Sequence, residues 1–313
     1  MPKKQKKNGI YLLFYYATKI AKTRGFSKGR FFFLRSLLFP QIAANWVKFI
    51  DSYFKKIGFE IVPWDIIALP LRLCFSRHLS PAARIKTLQD HHIVLEKNFR
   101  KEVIADLTSE KKIKLATLTS KSGAAYDFNM CYIMYLRREG MLSISITDPA
   151  EENLILTSLS FTFFKNAKGE NSLLIGGLQG ITNKTDSAGK STIVKTTRDL
   201  NGLRPKFAIL NTLYAIAESF CVTEIIATSE KNHPVKITNQ RKRGGFHADY
   251  DIFWEENGGI LNADGNFILP AALPKRKLED VPSKKKKDWL ARHNYIKEMS
   301  DMTKICLDEI MGK

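Results

Sequence analysis

A change of hydrophobic period constrains this chain most. After Pro40 the apolar residues Ile42, Trp46, Phe49, Ile50, Tyr53, Phe54 and Ile57 recur at helical spacing, whereas Leu142-Ser143-Ile144-Ser145-Ile146-Thr147 alternates strictly. The first pattern buries one stripe of a helix and the second one face of a strand. A chain carrying both in this order is helical first and sheet-forming afterwards.

Residues 28–115 read as helical, with Lys48, Asp51, Lys55 and Lys56 on the outer side of the stretch after Pro40. Ser80-Pro81 supplies a cap and a first-turn proline for a further helix. That helix carries His91 and His92, which as sequence neighbours point to different faces, one inward and one to water. Past Leu142, Leu154 to Phe164 is a second strand joined through Asp148-Pro149, hence an antiparallel neighbour. Ser172 to Gly176 follows as a third strand after the turn Asn166 to Glu170, and Ser191 to Thr197 reads as a shorter one. Pro205 to Phe220 forms a helix with Phe207, Leu210, Leu213, Tyr214, Ala217 and Phe220 on one face. Thr223 to Ser229 then returns into the sheet, parallel by the handedness of such crossovers. Tyr250 to Pro270 adds one or two strands around Gly258-Gly259 and Asp264-Gly265, and a last helix runs to the end.

The expected fold is therefore α+β: a helical N-terminal region, then a mixed, largely antiparallel sheet containing a strand-helix-strand unit. The expected boundaries are a basic amphipathic segment over residues 1–30, a helical region over 31–115, the α/β core over 116–272 and a basic linker with a C-terminal helix over 273–313.

Charge is the second constraint. The chain carries +19, and residues 1–56 hold ten lysines and three arginines against the single acid Asp51. Such an arm is drawn to anionic lipid head groups or to nucleic acid. No nucleic-acid reader motif is present, so the membrane surface is the expected partner. Lys3, Lys4, Lys6 and Lys7 precede the apolar run Ile10 to Thr18 as in a secretion signal, but no small-x-small cleavage pattern follows. An uncleaved amphipathic segment is expected. No run reaches the roughly 18 apolar residues of a spanning helix, which predicts a soluble or peripheral protein. Cys74, Cys131, Cys221 and Cys306 lie far apart and read as reduced core residues, not a disulfide frame or a zinc site.

The motifs concentrate in the second half. Ala188-Gly189-Lys190-Ser191-Thr192 imitates the end of a phosphate-binding Walker loop, but Lys184 occupies the position of its first glycine. Gly202-Leu203-Arg204-Pro205-Lys206 opens a helix with two cations where acids are favoured, and a bound anion would resolve the conflict. A pairing with Asp199 or Glu218 would resolve it too. Gly176-Gly177-Leu178-Gln179-Gly180 ends a strand, which suggests close approach of a backbone or ligand, or a bulge, or only a tight turn. Gln179 is the recognition side chain there. His233-Pro234 follows the returning strand, where catalytic groups often sit. His247 with Asp249 and Asp251, or Glu255 and Glu256, are weaker candidates for a base; none meets a metal-ligand spacing. Arg241-Lys242-Arg243 beside Phe246, Tyr250, Phe253 and Trp254 mixes charge with aromatics as nucleic-acid surfaces do, and as solvated loops beside a core also do.

Three of these stretches resemble the VirK/YbjX family of Gram-negative bacteria: Ile175 to Gly180, Thr197 to Lys206 with its Gly-Leu-Arg-Pro-Lys core, and Tyr250 to Gly259 with Trp254 and the paired glycines. His91 and Tyr126 to Gly140 fit more loosely. The resemblance implies a role in envelope integrity, virulence and resistance to cationic antimicrobial peptides, exerted from the cytoplasmic side, with no reaction attached. The order Ser172–Gly176, Arg204–Phe220, Thr223–Ser229 also resembles acyl-CoA N-acyltransferases of the GNAT type. There a strand, a pyrophosphate-holding helix N-terminus and a parallel strand follow one another. This resemblance implies an acyltransferase in which Gly202, Arg204, Lys206, Gly177 and Gln179 hold acyl-CoA or another phosphate-bearing ligand and His233 is the base. The insertion Ile181 to Leu203 and the missing Arg/Gln-x-x-Gly-x-Gly loop depart from that pattern. A non-catalytic membrane-docked or envelope-assembly factor is the rival expectation.

Overall fold

The computed structural model describes residues 9–132, 136–148, 150–181, 186–235, 250–274 and 277–312. Helices α1 (Gly9–Arg24), α2 (Phe26–Leu38) and α3 (Pro40–Lys56) pack on one another, followed by α4 (Trp64–Ile67), α5 (Pro81–Asn98) and α6 (Lys101–Thr108). The Trp46 indole, fully buried on α3, donates to the Ile67 carbonyl at 2.9 Å. Asp51 corrects the expected outer face of this helix: it is buried, accepting from the Tyr16 hydroxyl at 2.7 Å and the Lys55 ammonium at 2.5 Å. The α1 helix supplies the partner that makes this burial affordable.

The remainder is an eight-stranded sheet in the order β1-β2-β3-β4-β5-β6-β8-β7. Its strands are β1 (Ile113–Thr119), β2 (Ala125–Cys131), β3 (Leu142–Asp148), β4 (Glu151–Lys165), β5 (Asn171–Gln179), β6 (Glu224–Ala227), β7 (Ile260–Leu261) and β8 (Phe267–Leu269). All neighbours are antiparallel except β5 and β6, which run parallel from Ser172 opposite Glu224 to Ile175 opposite Ala227. The fold is α+β.

Further details differ from the expectation or add to it. Residues 191–197 belong to helix α7 (Asp186–Asp199), not to a strand. Both edges of β5 are already taken by β4 and β6, and the Thr192 and Thr197 hydroxyls bond back to the Ala188 and Ile193 carbonyls at 3.0 and 2.7 Å. Helix α8 (Pro205–Ser219) is buried nearly all round, because the C-terminal helix α10 (Lys286–Met311) covers its outer side; Thr212 donates to the Met299 sulfur at 3.1 Å. Helix α9 (Tyr250–Glu256) precedes the β7–β8 hairpin. Of the cysteines, Cys74 and Cys131 are buried, while Cys221 is exposed and Cys306, half-buried, donates to the Lys114 carbonyl at 3.3 Å.

Both adjacent histidines are buried, 1% and 3% exposed, which corrects the expectation of one wet ring. Strand β3 begins at Leu142 opposite Phe161, so β4 has no strand partner on that side beyond this point. Helix α5 takes the place of the strand. His91 Nδ1 accepts the Phe163 amide at 3.3 Å and Asp90 accepts the Lys165 amide at 3.2 Å, two residues apart on the same edge. His92 turns into the aromatic side of α3, 4.6 Å from the Tyr53 ring centroid, and donates from Nδ1 to the Leu88 carbonyl at 2.8 Å. A carbonyl only accepts and an amide only donates, so the neutral rings are opposite tautomers, His92 protonated on Nδ1 and His91 on Nε2.

Burial holds His91 well below its ordinary 6.5 and His92 down to about 4. The unfolded chain therefore takes up protons first. The stability contributed by the neutral rings is complete above about 6.5 and is lost as pH falls toward 4. His91→Phe keeps a ring against Phe163 but orphans its amide. Urea titrations of this variant will show a loss of roughly 1–3 kcal/mol at neutral pH and a shallower decline between pH 6.5 and 4 than in wild type.

Candidate functional site

The glycine motif of β5 lies under a second segment of backbone. Opposite β4, Ser160 faces Gly177 and Phe161 faces Ile175, so Gly176 is the extra residue of a bulge. A Cβ at Gly176 would overlap the Glu139 carbonyl oxygen, and one at Gly177 would overlap a Glu139 carboxylate oxygen. A Cβ at Gly140 would likewise run into the Phe161 backbone. Close backbone approach and a bulge, both readings of the motif, thus occur together, and what approaches is the connection from β2 to β3.

That connection delivers one carboxyl group to the interior. Glu139 is 3% exposed, and the Gln179 side-chain amide donates to both of its oxygens, at 2.9 and 3.0 Å. The fully buried His233 places Nε2 3.8 Å from one of them. Burial raises the Glu139 pKa to about 7, against the opposing pull of the Gln179 hydrogen bond and the Arg138 charge. This is the range in which a carboxyl group exchanges protons at physiological pH.

The surroundings are fixed by polar ties. Arg138 donates from Nε to the Leu73 carbonyl and from a terminal nitrogen to the Pro234 carbonyl, both at 2.9 Å, so the residue beside Glu139 also anchors the segment carrying His233. Phe75, fully buried with φ of 65°, donates to the Arg138 carbonyl at 2.7 Å and accepts from the Thr228 hydroxyl at 3.1 Å. Such a backbone conformation is costly for a phenylalanine and persists where its surroundings hold it from several sides. Asn232 ties the β6 end to the β7–β8 turn through the Asp264 and Gly265 carbonyls at 2.8 and 3.0 Å. Tyr250, on α9, lies 5.4 Å from the His233 ring centroid, and Trp254 donates to the Thr228 carbonyl at 3.3 Å. Burial, then the Glu139 charge, pushes the Tyr250 hydroxyl above its ordinary range, so it stays protonated.

The expected site residues thus divide into two groups. Gly177, Gln179 and His233 meet around Glu139. Gly202, Arg204 and Lys206 stand at the N-terminus of α8, where Gly202, with φ of 81°, faces the Arg292 guanidinium of α10. Arg204 is exposed and caps the helix with no side-chain bond, and Lys206 is half-buried. The acids weighed as partners each have bonds of their own. Asp199 accepts from the Ser122 and Tyr126 hydroxyls at 2.9 and 3.1 Å, and Glu218 pairs with Lys304 at 2.7 Å. Asp251 accepts the Glu230 amide at 2.7 Å, and Glu255 and Glu256 are exposed. Arg241-Lys242-Arg243, Phe246, His247 and Asp249 lie outside the described residues. Among the described residues no three His, Cys, Asp or Glu side chains are grouped to hold a metal ion. Glu139 escaped the sequence reading; its one signal was a lone acid between Arg137-Arg138 and Gly140 in the loosely matching stretch.

Glu139 rises from the ordinary carboxyl range, so its contribution to stability is complete below about 4.5 and drains as pH climbs through about 7. The shift corresponds to roughly 3 kcal/mol by pH 8. Glu139→Gln keeps the shape and removes the titration. Denaturant melts at pH 5 and 8 will show wild type losing stability relative to this variant as pH rises. In the same assay Gly176→Ala, which forces a methyl group into the Glu139 backbone, will cost more than about 2 kcal/mol.

The "Uncharacterized protein YbjX" of Escherichia coli (strain K12) is 26% identical over 269 residues, covering 85% of this chain and 79% of that protein. An "Uncharacterized protein" of Haemophilus influenzae (strain ATCC 51907 / DSM 11121 / KW20 / Rd) is 25% identical over 224 residues, covering 72% of this chain and 71% of its own. No solved structure matches. The family described as "Protein of unknown function (DUF535)" matches residues 22–304, a span that takes in Glu139, the β5 glycines, His233 and the basic turn. By that match, and by its similarity to YbjX, the chain belongs to the DUF535 family, and the VirK/YbjX family resemblance holds.

Proposed function

We propose that the protein is an acyltransferase-like enzyme acting on a component of the cell envelope, with acyl-CoA or another phosphate-bearing acyl donor. The observation that carries this reading is Glu139: a buried carboxyl group with a pKa of about 7, oriented by Gln179 and adjacent to His233. Transfer of an acyl group from a thioester to an amine or hydroxyl needs a base that accepts the acceptor's proton near neutrality. In this reading the acceptor attacks the thioester carbonyl as its proton passes to the Glu139 carboxylate, the carbon–sulfur bond breaks, and the thiolate leaves and is protonated. Gln179 orients the carboxylate, and His233, 3.8 Å away, is the group to which the proton passes on once the two close to hydrogen-bond distance.

Sheet topology supports the donor. Pairing between β5 and β6 ends at Ile175 and Ala227, closed by the Thr228 amide on the Ile175 carbonyl at 2.8 Å, while β5 runs on to Gln179. The strands part there, at the C-terminal end of the parallel pair, and α8 joins one to the other. The N-terminus of α8 carries the positive end of the helix dipole and a cationic turn in Gly202, Arg204 and Lys206, a seat suited to phosphate. The envelope, virulence and peptide-resistance associations implied by the family motifs fit an acceptor in the envelope.

Thermal-shift measurements with acyl-CoA, free CoA and inorganic phosphate test the donor. Acyl-CoA at about 100 times its Kd will raise the Tm by a few degrees, and Arg204→Ala will abolish the shift. Glu139→Gln will keep the shift and lose acyl transfer by roughly 10²–10⁴-fold. An unresponsive wild type overturns the donor. A Glu139→Gln protein that still complements a deletion strain overturns catalysis in favour of a non-catalytic envelope factor.

A further inference from the structure

The first two helices leave an apolar face bare. Of eighteen large hydrophobic side chains exposed among the described residues, nine lie between Ile10 and Phe39. On α1 these include Phe14, 55% exposed; on α2, Phe26, Leu34 and Leu38 are 75%, 50% and 70% exposed. The two helices form an antiparallel hairpin closed by Gly25, with φ of 99°, and Gly29 brings the α2 backbone against Ala17 and Ala21. Phe14 and Phe33 touch across it at 4.7 Å between centroids, so the α1 and α2 faces join into one surface. Monomeric soluble proteins seldom keep so continuous an apolar patch unless something covers it.

Charge identifies the cover. Residues 9–39 contain Lys19, Lys22, Arg24, Lys28, Arg30 and Arg35 and no acid. Lys28 and Arg35 lie seven residues apart, on one flank of α2. Lys28 reaches Trp64, whose ring also receives Arg72 at 4.9 Å and Arg137 at 6.0 Å, with Lys28 itself at 5.1 Å. Asp65, paired with Arg137 at 3.2 Å, lies within this cluster beside Lys28, Arg35, Arg72 and Arg137. Burial first, then the Arg137 and Arg35 charges, lowers the Arg72 pKa, so a further anion at this flank relieves a repulsion already present.

We infer that the α1–α2 hairpin is a docking face for an anionic phospholipid bilayer, its aromatic and leucine side chains entering the acyl-chain boundary while the Lys28, Arg35, Arg72 and Arg137 flank takes lipid phosphates. The geometry suits a helix pair lying in the interface: no described helix is long and apolar enough to cross a membrane, and α1 has 16 residues and α2 13. A second copy of the chain fits poorly, because two such faces would bring six cations each together with no acid. Residues 1–8 offer four lysines and, of large apolar side chains, Met1, so they add attraction to a bilayer and little to cover the patch. Nucleic acid would leave the leucines and phenylalanines in water. This docking is independent of any acyl transfer.

Sedimentation of the full chain with vesicles tests it. Binding to phosphatidylcholine vesicles containing phosphatidylglycerol will exceed binding to pure phosphatidylcholine by at least about tenfold, and raising the salt will weaken it steeply. Leu34→Glu with Leu38→Glu alters side chains that are already exposed; it will cut binding at least about tenfold while circular dichroism and Tm stay at wild-type values. Arg35→Glu will reduce the preference for anionic over neutral vesicles. Equal binding to both vesicle types, or unchanged binding by the double-leucine variant, overturns the proposal. So does a concentration-dependent dimer in vesicle-free solution that the double-leucine variant abolishes, or a DNA gel shift that the same variant abolishes.

Discussion

The contact between the Glu139 peptide and the glycine pair of β5 sets the rest of the interior. Because Gly176 and Gly177 have no side chains, the β2–β3 connection descends onto the sheet and brings a carboxyl group where water cannot follow. A charge so placed is tolerated only with partners, and every neighbouring segment contributes to that arrangement. Gln179 lies along the same strand, His233 follows the parallel strand, and Arg138 is tied by backbone carbonyls on either side. Any side chain at Gly176 would separate these elements together.

Much of this was legible in the residues. Strict alternation from Leu142, the Asn166 turn and the proline-led helix at 205 placed β3, β4, β5 and α8, because each pattern is local and agrees with its surroundings. Strands β1 and β2 were not legible, since a bulge between Lys114 and Ala116 breaks the alternation and puts Leu115 and Ala116 both inside. Helix α7 carries β-branched residues that suit a strand, but the sheet has no vacant edge beside β5. The two-sided burial of α8 depended on α10, far along the chain.

The site divides in the same way. Glycines at 176 and 177 announced that something must come close, and a glutamine at 179 that it would be polar. Which segment came close is a tertiary fact: Glu139 gains its raised pKa from burial under a strand remote in sequence, and nothing in its own neighbourhood foretells that. Asp51, His91 and His92 belong to the same class, polar residues whose partners come from other helices or strands.

The bond from Cys306 to the Lys114 carbonyl spans 192 residues, and α10 as a whole rests on β1 and α8. A ribosome adding roughly 5–20 residues per second needs on the order of 10–40 s to cover that distance. Throughout that interval the first strand of the sheet stands with its outer surface unclad, and α8, once made, has one side wet. Closure of the fold by α10 is thus a long-range step that no local pattern can make, and during synthesis it follows the strand and the helix that it covers.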